Sequence, residues 1–152
     1  MPSAKLATDD MLALDNQFCF ALYSASLAMT KTYKPFLEKL GITYPQYLVM
    51  LVLWQKDNVL VKDIGEKLFL DSGTLTPLLK RLEVLSLVLR SRDEIDERQV
   101  RITLTREGKL LKRKAQAIPQ QILCASGQTP KTLVDMRSQL MLIRDDLVRS
   151  NE

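Results

Sequence analysis

The apolar residues near the start of the chain recur at helical spacing. Between Ala13 and Leu40 they follow one another in steps of four, four, three and four residues, at Leu14, Phe18, Leu22, Ala25 and Met29. No glycine occurs before Gly41. The pattern predicts one long amphipathic helix over residues 13–40, which Pro35 interrupts near its end.

Two shorter helices are predicted next. The first begins at Thr43 or Tyr44, holds Pro45 in its first turn, where a missing N–H costs little, and runs to about Lys56. A short helix then covers residues 61–68, where the apolar side chains fall on one side.

A third helix opens at Asp71-Ser72 and has two contrasting faces. Its apolar residues fall at i, i+3, i+4, i+7 and i+10, namely Leu75, Leu78, Leu79, Leu82 and Leu85. We expect that face to point into the core. The other face displays small, hydroxylated and cationic residues, namely Ser72, Gly73, Thr76, Lys80 and Arg81. Such a face suits hydrogen bonding to base edges and phosphates in a major groove, although an ordinary solvated face has the same composition.

The segment after these helices reads as a β-hairpin. Strands are predicted at Leu87 to Ser91 and Gln99 to Thr105, joined by the charged loop 92–98. Helix, short turn, helix and hairpin together form a winged helix-turn-helix. Two long helices close the chain, from Arg106 to about Ile122 and from Lys131 to Arg149. The predicted fold class is therefore mainly α with a small β-wing.

These elements predict three regions. Residues 1–57 and 106–152 supply N- and C-terminal dimerisation helices, and residues 58–105 form the DNA-binding module. The apolar stripes of the terminal helices would be exposed beside an isolated module, so a second copy is expected to cover them. We therefore predict a two-fold homodimer whose arms interdigitate.

Charge supports a polyanionic partner only weakly. The net charge is +4, and residues 61–114 hold 13 Lys and Arg against 9 Asp and Glu, which accounts for the whole surplus. A phosphate backbone attracts such a segment, but a membrane surface or solubility would explain it equally well. The start of the chain carries no leader pattern, and no run approaches the roughly 18 apolar residues of a membrane span, so a soluble cytoplasmic protein is expected.

The two cysteines narrow the chemistry. Cys19 lies in an apolar run, Cys124 is 105 residues further on, and the chain has no histidine. A Cys–His nucleophile and a structural zinc site both need ligands that are missing, so neither metal nor cofactor is expected. Two cysteines at this spacing form neither a CxxC motif nor a secreted scaffold. A small buried hydrophobe and a redox-sensing thiol remain as readings of Cys19.

The chain resembles the MarR family of winged-helix transcriptional regulators over essentially its full length. Within that family it is similar to the OhrR group of organic-hydroperoxide-responsive repressors, of the two-cysteine subtype. The likeness is carried by residues 14–24, 40–47, 70–81 and 96–98. The context of Cys19 and the Asp-Ser-Gly-Thr-Leu-Thr-Pro helix start at Asp71 are the specific parts.

The resemblance implies a sensor site. Cys19 would be the peroxide-reactive thiol, Tyr33 and Tyr44 would donate hydrogen bonds to its thiolate, and its sulfenic acid would condense with Cys124 of the other subunit. On one straight helix Cys19 and Tyr33 are about 21 Å apart, so the helix bends or the tyrosine comes from the other subunit. Core packing is the alternative for both tyrosines.

The resemblance also implies DNA contacts. The recognition helix would present Ser72, Gly73, Thr74, Thr76, Pro77, Lys80 and Arg81. Arg98, held by Asp96, would enter the minor groove from the wing. The expected function is a repressor, not an enzyme, that binds a palindromic DNA operator when reduced and dissociates when organic hydroperoxide, its inducer, oxidises Cys19. A repressor released by a small phenolic or drug-like ligand, a thiol peroxidase and an architectural DNA-binding protein are the alternatives.

Overall fold

The computed structural model describes the backbone from Thr8 to Glu152 and the side chains from Asp10. The first residues of the predicted region 1–57 lie outside this part. The helices are α1 (Thr8–Met11), α2 (Phe18–Glu38), α3 (Tyr44–Gln55), α4 (Val61–Leu68), α5 (Ser72–Val84), α6 (Arg106–Ala115), α7 (Ile118–Ser126) and α8 (Pro130–Ser150), and the strands are β1 (Val59–Leu60), β2 (Val88–Arg92) and β3 (Val100–Leu104).

The chain forms two compact units, which divide between Ala115 and Gln116. The first holds α1 to α6 with the sheet, and the second holds α7 and α8. The boundaries predicted for the three functional regions, 1–57, 58–105 and 106–152, stay a prediction. Among the described residues no helix is long and apolar enough to cross a membrane.

The first long helix begins later than predicted. A separate 3-10 turn covers Leu14–Asn16, and Gln17 is extended before α2 starts. Two side-chain amides explain the interruption, because Asn16 donates to the Asp10 carbonyl at 2.7 Å and Gln17 to the Met11 carbonyl at 2.7 Å. Such bonds compete with the helical backbone ladder. At its other end α2 runs through Pro35 to Glu38 without a break.

Helix α3 begins as its sequence predicts. Thr43 and Gln46 form a capping box, and Pro45 lies in the first turn. The side chains of Met50 and Leu53 are fully buried, so α3 runs through the core of the first unit. The capping bond also explains why the amide of Gln46 can be buried.

Helix α5 follows α4 after a tight turn. Phe69 ends α4 in the left-handed conformation with φ of 57°, and the Asp71 carboxylate caps α5 by accepting from the Thr74 N–H at 2.7 Å. Of the five leucines expected in the core, Leu75, Leu79 and Leu82 are buried, Leu78 is half-buried and Leu85 is exposed. The core face of α5 is therefore narrower than the leucine pattern suggested.

The wing contains a strand that the sequence did not reveal. The sheet is antiparallel in the order β1-β3-β2, with Val59 opposite Ile102 and Val88 opposite Leu104. Strand β1 has two residues, too few for an alternating pattern. The predicted hairpin is present, with each strand end within a residue or so of the prediction.

The helix predicted from Arg106 to about Ile122 is wrong, because it is two helices. Helix α6 ends at Ala115, and α7 begins at Ile118 with Pro119 in its first turn. A proline ring clashes with the carbonyl four residues earlier, here that of Ala115, and removes one backbone bond, which favours a break at this point. Gly127, with φ of 66°, ends α7 shortly after Cys124.

Candidate nucleic-acid interface and thiol site

The solvent side of α5 carries the residues predicted to contact DNA. Leu75 and Leu79 anchor the helix from below, so its position is set by the core. Thr76 is half-buried, and the others are exposed, namely Ser72, Gly73, Thr74, Pro77, Lys80 and Arg81. The hydrogen bond from Thr74 lowers the pKa of Asp71, which keeps the helix cap charged. On this surface, the small residues at the helix start let the backbone come close to a binding partner. Lys80 and Arg81 add two cations further along the helix.

The wing arginine is held as predicted. Arg98 donates from Nε to Asp96 Oδ1 at 3.0 Å and from Nη2 to Oδ2 at 3.2 Å, and its backbone N–H also reaches Oδ1 at 3.1 Å. These bonds lower the pKa of Asp96. The Arg98 side chain is 90% exposed, so the pair presents an oriented guanidinium to solvent.

A second acid at the wing, Asp93, was not among the predicted site residues. Asp93 is buried and accepts from Arg101 Nε at 2.5 Å and from the Asp96 N–H at 3.0 Å. The bond from Arg101 is the main cause of the lowered pKa of Asp93. Arg101 also reaches the Asn58 carbonyl at 3.2 Å. Asp93 therefore fixes the turn that carries Asp96. The sequence signal that could have singled out Asp93 is its position directly after β2.

Both cysteines are free and exposed in the single chain. Cys19 lies in the first turn of α2 between Phe18 and Phe20, which are also exposed. The thiol of Cys124 lies 3.8 Å from the Gln120 amide nitrogen in α7. Cys19 thus does not pack as a small core hydrophobe within its own chain.

Tyr33 and Tyr44 come together across α2 and α3. Their ring centroids are 4.9 Å apart, and each ring also lies near that of Tyr47, at 5.8 Å and 6.2 Å. Burial, with the neighbouring tyrosines, raises the pKa of Tyr33 to about 12, and burial raises that of Tyr44. Both phenols therefore keep their protons at neutral pH and can donate hydrogen bonds.

The two tyrosines do not reach Cys19 of their own chain. Helix α2 is continuous from Phe18 to Glu38, and its internal proline lies beyond Tyr33. Fourteen residues of helix span about 21 Å between Cys19 and Tyr33. The alternative of a bend that closes this gap is thereby removed.

Comparisons with known proteins agree with this geometry. Residues 31–115 match the family model described as transcriptional regulator SarA/Rot. The organic hydroperoxide resistance transcriptional regulator of Bacillus subtilis is 51% identical over 142 residues, 93% of this chain and 97% of that protein. AbfR of Staphylococcus epidermidis, solved reduced and bound to DNA, gives a TM-score of 0.74 at 36% identity, covering 91% of this chain and 95% of that chain. Its disulfide-formed state gives 0.59 at 36% identity, covering 89% and 95%.

Helix α5 and the wing define a winged-helix regulator. The chain belongs to the MarR family of winged-helix transcriptional regulators, and its match to the SarA/Rot model and to the B. subtilis regulator confirms the resemblance drawn from its motifs.

Proposed function

We propose that this chain is a redox-regulated transcriptional repressor that binds a two-fold DNA operator when reduced and is released when an organic hydroperoxide oxidises Cys19. The observation that carries the proposal is the exposed Cys19 thiol at the start of α2, in the same compact unit as α5 and the wing. Two relatives support it. The B. subtilis relative is named for organic hydroperoxide resistance. AbfR was solved reduced and bound to DNA, and separately in a disulfide-formed state. The protein works in the cytoplasm as a DNA-binding regulator, like the transcriptional regulators to which it is similar.

The exposed face of α5 enters the major groove. Ser72 and Gly73 let the helix start approach base edges closely, while Lys80 and Arg81 reach phosphates. Arg98 extends from the wing into the adjacent minor groove, oriented by its acid partner. These contacts combine sequence reading with charge neutralisation, so binding falls as salt rises.

A second copy completes the molecule. Apolar residues of α8 recur at heptad-like spacing and are half-buried or exposed, namely Leu133, Met136, Leu140, Ile143 and Leu147. An apolar stripe of this length needs cover, and a copy related by a two-fold axis supplies it with the same stripe. The two-fold axis then places two α5 helices on two half-sites of a palindrome, about one DNA turn or 34 Å apart.

The thiol chemistry runs in two balanced steps. The Cys19 thiolate attacks one peroxide oxygen, so an S–O bond forms, the O–O bond breaks and the leaving alkoxide takes a proton to depart as an alcohol. The sulfur is oxidised by two electrons to a sulfenic acid. The thiol of Cys124 from the other subunit then attacks that sulfur, and a disulfide forms as water leaves.

Tyr33 and Tyr44 act on this thiol across the dimer. Because α2 separates Cys19 from Tyr33 of its own chain by about 21 Å, and the Tyr44 ring lies against the Tyr33 ring, the phenols that stabilise the thiolate belong to the other subunit. Two phenol donors favour the charged form of the thiol and so raise the fraction of the attacking species.

Operator binding after treatment with cumene hydroperoxide tests the function. We expect the wild-type protein to release its operator and to rebind after reduction with dithiothreitol, whereas Cys19→Ser stays bound. Cys124→Ser is the matched control, because it removes the other thiol and leaves the first oxidation step intact. Equal release of wild type and Cys19→Ser would refute peroxide sensing by Cys19.

A second candidate is release by a small phenolic or drug-like ligand. A cavity of about 640 Å³ lies between α4, α5 and the wing. Within the described residues, two buried polar atoms at this cavity, Arg90 Nε and Gln99 Oε1, have no hydrogen-bond partner. Ligand-induced release by a protein with both cysteines replaced by serine would favour this candidate over thiol oxidation.

A further inference from the structure

Tyr47 lies beside the two tyrosines proposed to donate hydrogen bonds to the Cys19 thiolate. It follows Tyr44 by three residues on α3, and its side chain is only 3% exposed, whereas those of Tyr33 and Tyr44 are half-buried. Its ring lies 5.8 Å from the Tyr33 ring and 6.2 Å from the Tyr44 ring. The three rings therefore form a triangle with Tyr47 at the buried corner.

Tyr47 is itself held from the opposite side. The Trp54 ring meets it edge-on, with centroids 6.3 Å apart and planes inclined by 70°. Trp54 in turn donates from Nε1 to the Gly108 carbonyl of α6 at 2.9 Å. Edge-to-face packing of this kind fixes ring orientation, so Tyr47 stands between the hydrogen-bonded, half-buried Trp54 and the two half-buried phenols.

Orientation matters because a hydrogen bond tolerates little displacement. A rotation of about 30° about χ1 swings a tyrosine hydroxyl by about 3 Å, which is enough to lose its partner. Tyr33 and Tyr44 stand on different helices, and each lies partly in solvent. The Tyr47 ring touches both and so restricts both rotations at once.

We propose that Tyr47 is a positioning residue whose ring aligns the Tyr33 and Tyr44 hydroxyls toward the Cys19 thiolate of the other subunit. The inference rests on the role proposed for those two tyrosines in the preceding section. The contribution is made by the ring, through packing, and the Tyr47 hydroxyl is not needed. Loss of the ring leaves both phenols present but badly aligned, which lowers the thiolate fraction of Cys19 at neutral pH.

The test measures Cys19 reactivity directly. In the dimeric Cys124→Ser protein, where Cys19 is the remaining thiol, the rate of alkylation by iodoacetamide is followed from pH 5 to pH 10. We expect Tyr47→Leu and Tyr47→Met to slow alkylation at pH 7 by about tenfold and to move the midpoint of the pH profile upward, because the thiolate is the reacting species. Tyr47→Phe keeps the ring and is expected to retain the parent profile.

Controls separate alignment from loss of stability. Leu53→Ala removes buried volume from the same helix six residues away and is expected to leave the pH midpoint unchanged. Thermal melting and operator binding identify which of Tyr47→Leu and Tyr47→Met folds like the parent. Methionine fills the site with a flexible side chain of the required length, so that variant serves if the leucine variant unfolds.

The outcomes separate the positioning role of Tyr47 from the donor role of Tyr33 and Tyr44. If Tyr33→Phe and Tyr44→Phe raise the midpoint while a folded Tyr47→Leu or Tyr47→Met does not, the positioning role is overturned and the donors stand. If Tyr33→Phe and Tyr44→Phe leave the profile unchanged, the proposed donors themselves fail. A Tyr47→Phe profile as displaced as that of Tyr47→Leu would assign the effect to the hydroxyl and reject packing by the ring.

Discussion

Arg98 and Asp96 allow charge and orientation to be separated at the proposed operator contact. Arg98→Ala removes one cation from each wing, whereas Asp96→Ala keeps the cation and removes the carboxylate that holds it by two side-chain bonds of 3.0 Å and 3.2 Å. The Arg98 side chain is 90% exposed and that of Asp96 is 30% exposed. Truncating Arg98 therefore changes the surface and leaves the fold intact.

The expected magnitudes follow from the number of charges. A dimer carries two copies of Arg98, and a cation in the minor groove lies in the negative potential of the flanking phosphates. Each copy is therefore counted as neutralising one phosphate, which contributes about 0.9 to the slope of log K against log salt concentration. Arg98→Ala should reduce that slope by about 2 and weaken operator binding by about 1–3 kcal/mol per half-site. Asp96→Ala should lower the ratio of operator to non-specific binding without reducing the slope, because an acid near the phosphates has been removed and no cation has been lost.

The assay is fluorescence anisotropy with operator and scrambled duplexes at salt concentrations from about 50 to 200 mM, a range that resolves such slopes. Lys34→Ala is the matched control, since it removes one exposed cation from α2, a helix outside the proposed DNA contacts of α5 and the wing. Two results would refute the reasoning. Either Arg98→Ala leaves the slope unchanged, or Asp96→Ala reduces it as much as Arg98→Ala does.

Three further predictions concern stability, pH and the disulfide. Gly108→Ala should destabilise the first unit by about 1–3 kcal/mol, measured by urea denaturation, because a Cβ there would lie 2.2 Å from the Leu87 carbonyl oxygen; an unchanged midpoint would contradict that close approach. The pKa of Asp93 is lowered mainly by its bond from Arg101, so its stabilisation of the wing is present above the ordinary aspartate pKa of about 3.9 and is lost as pH falls through the lowered value. Amide exchange at the wing should accelerate in that acid range in wild type, and Asp93→Asn should lack this pH dependence. Cys124→Ser should abolish the hydroperoxide-induced covalent dimer on a non-reducing gel, and a dimer that persists would reject the pairing with Cys19.

Local signals predicted the helices whose ends are capped by their own residues. Thr43 and Pro45 marked the start of α3, and the acid before Ser72 marked the start of α5, because a cap needs only residues within one turn. The break before α7 also had a local signal, since Pro119 disfavours a helix that continues from Ala115. The prediction of one helix from Arg106 to about Ile122 left this proline out of account.

Other features depend on partners distant in sequence. The two residues of β1 form a strand only because Val59 pairs with Ile102. A segment of two residues is too short to show the alternating pattern that predicts a strand. Asp93 is one acid among several in a charged loop, and its burial depends on Arg101 across the hairpin. The meeting of Tyr33 with Tyr44 followed from the family resemblance, whereas the third ring, Tyr47, required the packing of α2 on α3.

The length of α2 makes the peroxide site and the dimer interdependent. Cys19 stands at one end of this helix and Tyr33 about 21 Å along it, so within one chain the proposed phenol donors do not reach the thiol. In the proposed dimer, the two-fold axis places each thiol against the other chain's phenols and creates two equivalent sites. Under this proposal, oxidation alters contacts between the chains, and those contacts set the separation of the two α5 helices. Because half-sites lie about 34 Å apart, a shift in that separation is sufficient to release a palindromic operator without any change in α5 itself.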